Sequence, residues 1–154
     1  MRSLLQFLFD APRGPASILL LRVSVGLIFF TQGILKFRDP HMGVLRFARI
    51  GFPHPRFTAF FVGDFEMFCG LLVLAGFLTR VAAVPLLIVI LTAIATTKIP
   101  ELFHVGQGFW YMVSDGRTDF AMLCSLIFLV SAGAGSWSLD ARRPQASASG
   151  GSNE

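Results

Sequence analysis

The chain has 154 residues, of which 54% are hydrophobic and 14% charged, with a formal net charge of +4. An ordinary soluble domain carries about 25% charge, so the polar surface that would cover a globule of this size is missing, and bulk disorder is excluded by the same composition. Two cysteines are too few for a disulfide scaffold. The basic residues sit where apolar segments end rather than in a stripe, which excludes a nucleic-acid surface and suits anchoring at lipid headgroups.

Residues 1–16 begin apolar (Leu4, Leu5, Phe7, Leu8, Phe9) and break at Asp10-Ala11-Pro12-Arg13-Gly14-Pro15. This predicts a turn of helix lying in the headgroups rather than a cleaved signal peptide. A membrane-crossing helix needs roughly 20 mainly apolar residues. Residues 17–37 supply the first, 58–78 the second, 81–98 the third and 119–137 the fourth. Between the first two, residues 42–50 read as a short amphipathic helix with Arg46 and Arg49 on one side. Gly51 ends it, and Phe52-Pro53-His54-Pro55 predicts an extended exit. Thr79-Arg80 leaves so little chain that the second and third spans form an antiparallel hairpin, and Pro85 predicts a kink in the third. The loop before the fourth holds Gly106, Gly108, Gly116 and the aromatic pair Trp110 and Tyr111, an interfacial anchor by composition. Residues 144–154, rich in Ser, Ala and Gly, read as a disordered tail. Strands with unpaired edges in lipid are excluded. The expected fold is all-α, an integral membrane four-helix antiparallel bundle over residues 1–143.

Polar residues inside such spans are costly, about 2.5 to 3.5 kcal/mol for a charge at mid-depth, and therefore informative. In the first helix Arg22, Gly26, Phe29, Gly33 and Lys36 recur at helical spacing on one face, with Gln32 beside it. In the second, Gly63, Glu66 and Gly70 share a face, and Asp64 lies roughly opposite. Glycines on these stripes permit close helix approach. Counting depth at about 1.5 Å per residue gathers Gln32, Lys36, Glu66, Thr92, Thr96, Lys98 and Asp119 into one half of the bundle. Arg22 falls near the other surface, with Arg80 and Asp140 as expected company. The cluster has two readings: a pin in which Glu66 pairs with Lys36, or a small-molecule pocket or proton relay opening to one face. Cys69 and Cys124 read as small buried packing residues. His41, His54 and His104 lie in loops away from metal-ligand spacing, so no metal site is expected. No residue is assigned a catalytic role.

The order of these pieces resembles the DoxX family of small bacterial membrane proteins. The resemblance rests on residues 47–55 before the second helix, on Gly33 and Lys36, on Gly63, Glu66 and Gly70-Leu71-Leu72, and on Gly76-Phe77-Leu78-Thr79-Arg80. It continues through Thr97-Lys98, Gly108-Phe109-Trp110, Arg117-Thr118-Asp119-Phe120 and Gly133-Ala134-Gly135 to Ser138-Leu139-Asp140, covering about residues 17–142. Gln32 stands where many members carry His, and Cys69 where a second Gly is common. The resemblance implies a four-helix inner-membrane protein associated with redox chemistry, in some members within a thiosulfate:quinone oxidoreductase.

Two functions are then in contention. One is an inner-membrane component of an oxidoreductase system, touching quinone or coupling to a soluble redox partner, with Gln32, Lys36 and Glu66 at the polar end of a quinone-sized cavity and Phe29 with Phe65 or Phe68 as apolar walls. The other is a noncatalytic scaffold or assembly subunit. Any flavin or haem would belong to a partner, and a homo-oligomer is compatible with both. Basic residues number six on the side of the termini and seven on the other, so charge does not orient the chain. Local pairing of Lys36, Arg38 and Arg117 with acids, and the flanks Arg80 and Arg142-Arg143, tilt the expectation to cytoplasmic termini in the bacterial inner membrane.

Overall fold

The computed structural model describes residues 15–103 and 108–142, and these are helical with short connections and no strand. Helix α1 spans Ile18–Arg38 and ends where the Asp39 amide donates to the Leu35 carbonyl at 2.9 Å and Pro40 follows. The amphipathic piece forms α2, Val44–Ile50, closed by Gly51 in the left-handed conformation at φ 90°. Helix α3, Pro55–Ala75, starts with Pro at its first position, where the missing N–H would be unpaired anyway. The residue before it, His54, is left-handed (φ 53°, ψ 59°) rather than extended, so the exit predicted there is a tight reversal.

Gly76, at φ 67°, ends α3 three residues before the sequence boundary. Its amide donates to the Val73 carbonyl at 3.1 Å and that of Phe77 to Leu72 at 3.0 Å, a glycine C-cap that the hydropathy pattern overran. Helix α4, Thr79–Ala93, follows at once and runs through Pro85; a π-helical turn, Ile94–Lys98, and the short α5, Ile99–Phe103, extend it. Helix α6, Gly108–Ala132, begins well before Asp119 and stops short of Trp137. Trp110 and Tyr111 therefore sit on a helix, not in a loop. The expected headgroup helix of residues 1–14 and the tail lie outside the described residues.

Among the described residues three helices are long and apolar enough to cross a membrane: Ile18–Arg38, Pro55–Ala75 and Thr79–Lys98. Helix α6 is longer, but every stretch of 18 residues within it contains Asp115, Arg117 and Asp119. The molecule is an all-helical membrane protein.

The closest helix pair is α1 with α3, which run antiparallel. Gly26 faces Gly70 and Gly33 faces Gly63; a Cβ on Gly26 would lie 2.8 Å from the Gly70 carbonyl oxygen, and one on Gly33 2.7 Å from that of Gly63. Any side chain there would push the helices apart. Helix α4 packs on α3 and α6, and Val25, Phe29, Val73, Leu86, Leu126 and Leu129 fill the centre.

At the termini end of the helices, Arg22 is 2% exposed and bonds to main chain rather than to an acid. Its Nε donates to Val73 O at 3.1 Å, Nη2 to Leu74 O at 3.0 Å, and Nη1 to Ala134 O and Trp137 O, both at 2.8 Å. The last carbonyls of α3 are the ones a helix leaves unpaired, and they carry its negative pole. Arg22 thus ties α1 to α3 and to the segment after α6. Asp140 has a separate task, accepting from the Leu78 and Thr79 amides at 2.8 and 3.1 Å and so capping α4 from far along the chain. Arg80 is buried and donates to Ser131 O at 2.7 Å.

Candidate functional site

Gly63 and Gly70 bring α1 against α3, and Glu66, between them on the same face, enters the interface with them. Lys36 arrives from the last turn of α1 at the same level because the helices are antiparallel. Its ammonium donates to Glu66 Oε2, with Glu66 only 4% exposed. The ion pair expected from depth and face is present. Arg46 of α2 adds a second positive charge towards Glu66.

Beside the pair lies a cavity of about 330 Å³. Its polar lining is Gln32, Lys36, Arg46, Thr58, Glu66, Thr92, Thr96, Thr97, Thr118 and Asp119. Ile28, Phe29, Phe61, Val62, Ile88, Ile90 and Met122 form apolar walls, and Met42, Phe47, Ile50 and Phe52 close one end from α2 and its exit. Six of the seven residues singled out from sequence therefore meet on one cavity. Lys98 does not line it; its ammonium contacts Asp115 Oδ2 and lies 3.8 Å from Asp119 Oδ2, holding that acid at the rim. Arg117, expected to pair with these acids, donates instead to Ser114 O at 2.9 Å, and Lys98 holds the acids.

The threonine hydroxyls of α4 and its π turn are anchored. Thr92 donates to Ile88 O at 2.8 Å, Thr96 to Thr92 O at 2.7 Å and Thr97 to Ala93 O at 2.6 Å. Each oxygen keeps acceptor capacity for a ligand. The π turn lets Thr96 and Thr97, adjacent in sequence, both face the cavity, and such turns recur at functional sites. Hydropathy carries no signal for it. The role of α2 as a cover was equally invisible, although Arg46 on its polar side was legible.

Two expectations need correction. Phe65 and Phe68 are not cavity walls; they are exposed on the outer side of α3, and Phe61 takes the place next to the cavity. Cys69 is buried as expected, but Cys124 is exposed on α6, since that helix turns Met122, Leu126 and Leu129 to the core instead. Among the described residues no three His, Cys, Asp or Glu side chains are placed to hold a metal.

Residues 17–99 match the DoxX family, and with them the Gly33, Lys36, Gly63 and Glu66 constellation. The chain belongs to the DoxX family. A Mycobacterium tuberculosis (strain ATCC 25618 / H37Rv) protein named "Uncharacterized membrane protein Rv3486" is 50% identical over 134 residues, covering 84% of this chain and 82% of that one. "Putative oxidoreductase CatD" of Bacillus subtilis (strain 168) is 35% identical over 95 residues, 62% of this chain and 69% of that one. No solved structure matches. The family match covers α1 to the π turn, so it includes the ion pair and the threonines of this DoxX protein, while Thr118 and Asp119 lie beyond it.

Proposed function

We propose that this DoxX protein is an inner-membrane component of an oxidoreductase system and that its cavity receives the ring of a quinone. The observation that carries the reading is a buried Lys36–Glu66 pair in the wall of a cavity whose remaining surface is mostly apolar. Ile88 and Thr92 line that cavity and are also exposed on the outer side of α4, so it opens sideways to where lipid-soluble molecules travel. At about 330 Å³ it falls at the small end of ligand pockets, roughly 300 to 1,000 Å³, which suits a ring with its tail left in lipid.

Reduction of a quinone takes two electrons and two protons; here the electrons would come from a soluble redox partner. The chain's own part is positioning and proton handling. Lys36 offers its remaining N–H donors and Gln32 its amide to a ring oxygen, while Glu66 and Asp119 are groups that can exchange protons between the cavity and the water at its rim. The name of the Bacillus relative supports the direction of this reading. We also propose that α6 makes the fourth crossing, its charged first half lying at the surface, and that both termini are cytoplasmic.

In the scaffold reading the same pair only pins α1 to α3. Binding of a short-tailed quinone analogue to the full-length protein in lipid nanodiscs separates the two. Saturable binding weakened about tenfold or more by Glu66→Gln, a loss of roughly 1.4 kcal/mol, in a variant shown to remain folded supports the quinone site. Absence of saturable binding, or equal binding by wild type and variant, leaves the scaffold.

A further inference from the structure

The side of α3 away from Gly63, Glu66 and Gly70 carries Phe57, Phe61 (which also borders the cavity), Asp64, Phe68 and Leu71, spaced four, three, four and three residues apart. All five are exposed. This is the seam spacing of a coiled coil with one polar residue at its centre.

Asp64 is out of place in a lipid-facing stripe. It is the tenth of the 21 residues of α3, about 14 Å along the axis from Pro55 and so near mid-bilayer. The other ionisable groups of the three apolar helices are buried (Arg22, Glu66, Arg80), largely covered (Lys36, Lys98) or at a helix end (Arg38, Arg56). Exposed hydroxyls at Ser24, Thr31 and Thr92 bond back to their own helices, whereas Asp64 has no hydrogen bond or ion pair among the described residues. A bare carboxyl at this depth is unfavourable and marks a contact that satisfies it.

We propose that α3 packs on α3 of a second copy through this seam, with the two Asp64 side chains facing each other. Copies inserted with the same topology are related by a twofold axis along the membrane normal, and parallel helices then bring each seam residue against its counterpart at the same depth. A second copy therefore supplies a polar group at the one level where it is required. Two carboxyl groups brought face to face at one site can share a single proton as a hydrogen bond, which lets such a contact hold rather than repel. Full burial of the exposed parts of three Phe, Leu71 and Asp64 removes at most roughly 500 Å² per copy, about 1,000 Å² in total, which is at the threshold of a specific interface. Apolar contact alone gives little drive in lipid, so the polar centre is what holds the seam together.

Cysteine cross-linking of the full chain in native membranes tests this, in a background carrying C124S. Phe68→Cys and Leu71→Cys should give disulfide dimers on mild oxidation, while Ile88→Cys and Ile127→Cys, exposed on α4 and α6, should not. Equal cross-linking at all four positions, none at any, or adducts of Phe68→Cys with a protein of different mass would overturn the pairing. Energy transfer between labelled copies in liposomes gives an independent reading. Asp64→Leu, which leaves the cavity residues untouched, should raise the dissociation constant about tenfold, and Asp64→Asn should change it little. Association of Asp64→Leu equal to wild type would overturn the role of the carboxyl.

Discussion

Replacing Arg22 with Met keeps much of the stem's packing and removes four donated hydrogen bonds, to Val73, Leu74, Ala134 and Trp137. A hydrogen bond to a charged group contributes about 1.5 to 3 kcal/mol. The four do not add in full, because water near this end of the helices can reach some of the released carbonyls. A net loss on the order of 3 to 5 kcal/mol is expected, mostly from the α3 carbonyls buried against α1. Arg22→Lys keeps the charge but has only three donors, without the planar fork that joins the α3 carbonyls to those after α6, so about half the loss is expected. Arg142→Met, exposed, should change stability by no more than about 0.5 kcal/mol. Equilibrium unfolding of the full chain in mixed micelles, followed by circular dichroism against the fraction of denaturing detergent, measures all three. A loss below about 1 kcal/mol for Met, or equal losses for Lys and Met, would refute the clamp.

Glu66→Gln and Lys36→Met should each destabilise by about 3 to 5 kcal/mol, since each orphans a buried charge, and the double change should recover most of it; additive losses would show that the pair is not coupled. Cys69 should resist every maleimide, while Cys124 should react with lipid-soluble reagents and not with impermeant ones; fast labelling of Cys124 from water would remove α6 from the membrane. A C-terminal alkaline phosphatase fusion should be inactive and a green fluorescent protein fusion bright; the reverse would turn the cavity towards the cytoplasm.

The three apolar helices were legible because hydropathy and length are what lipid demands of them. The Lys36–Glu66 contact was legible too, since glycine stripes reveal a helix face and residue counts reveal depth. What escaped depends on main-chain geometry or on competition. Gly76 stops α3 by adopting a left-handed conformation, which a run of apolar residues through Leu78 conceals. Arg22 takes four carbonyls in preference to Asp140, and Lys98 takes the acids that Arg117 was expected to hold. Arg80 is buried against α6 rather than exposed as a flank, which removes one of the charges that tilted the expected orientation. The π turn that aims Thr96 and Thr97 together has no counterpart in composition.

The most direct measurement leaves the ion pair intact and fills the space beside it. Ala93 lines the cavity, and Ala93→Phe would fill part of its 330 Å³ without removing a charge. Quinone-analogue binding to this variant in nanodiscs should fall at least about tenfold while its unfolding midpoint stays near that of wild type. Wild-type affinity in a variant shown to be folded would place any quinone elsewhere and leave the Lys36–Glu66 pair as a structural pin.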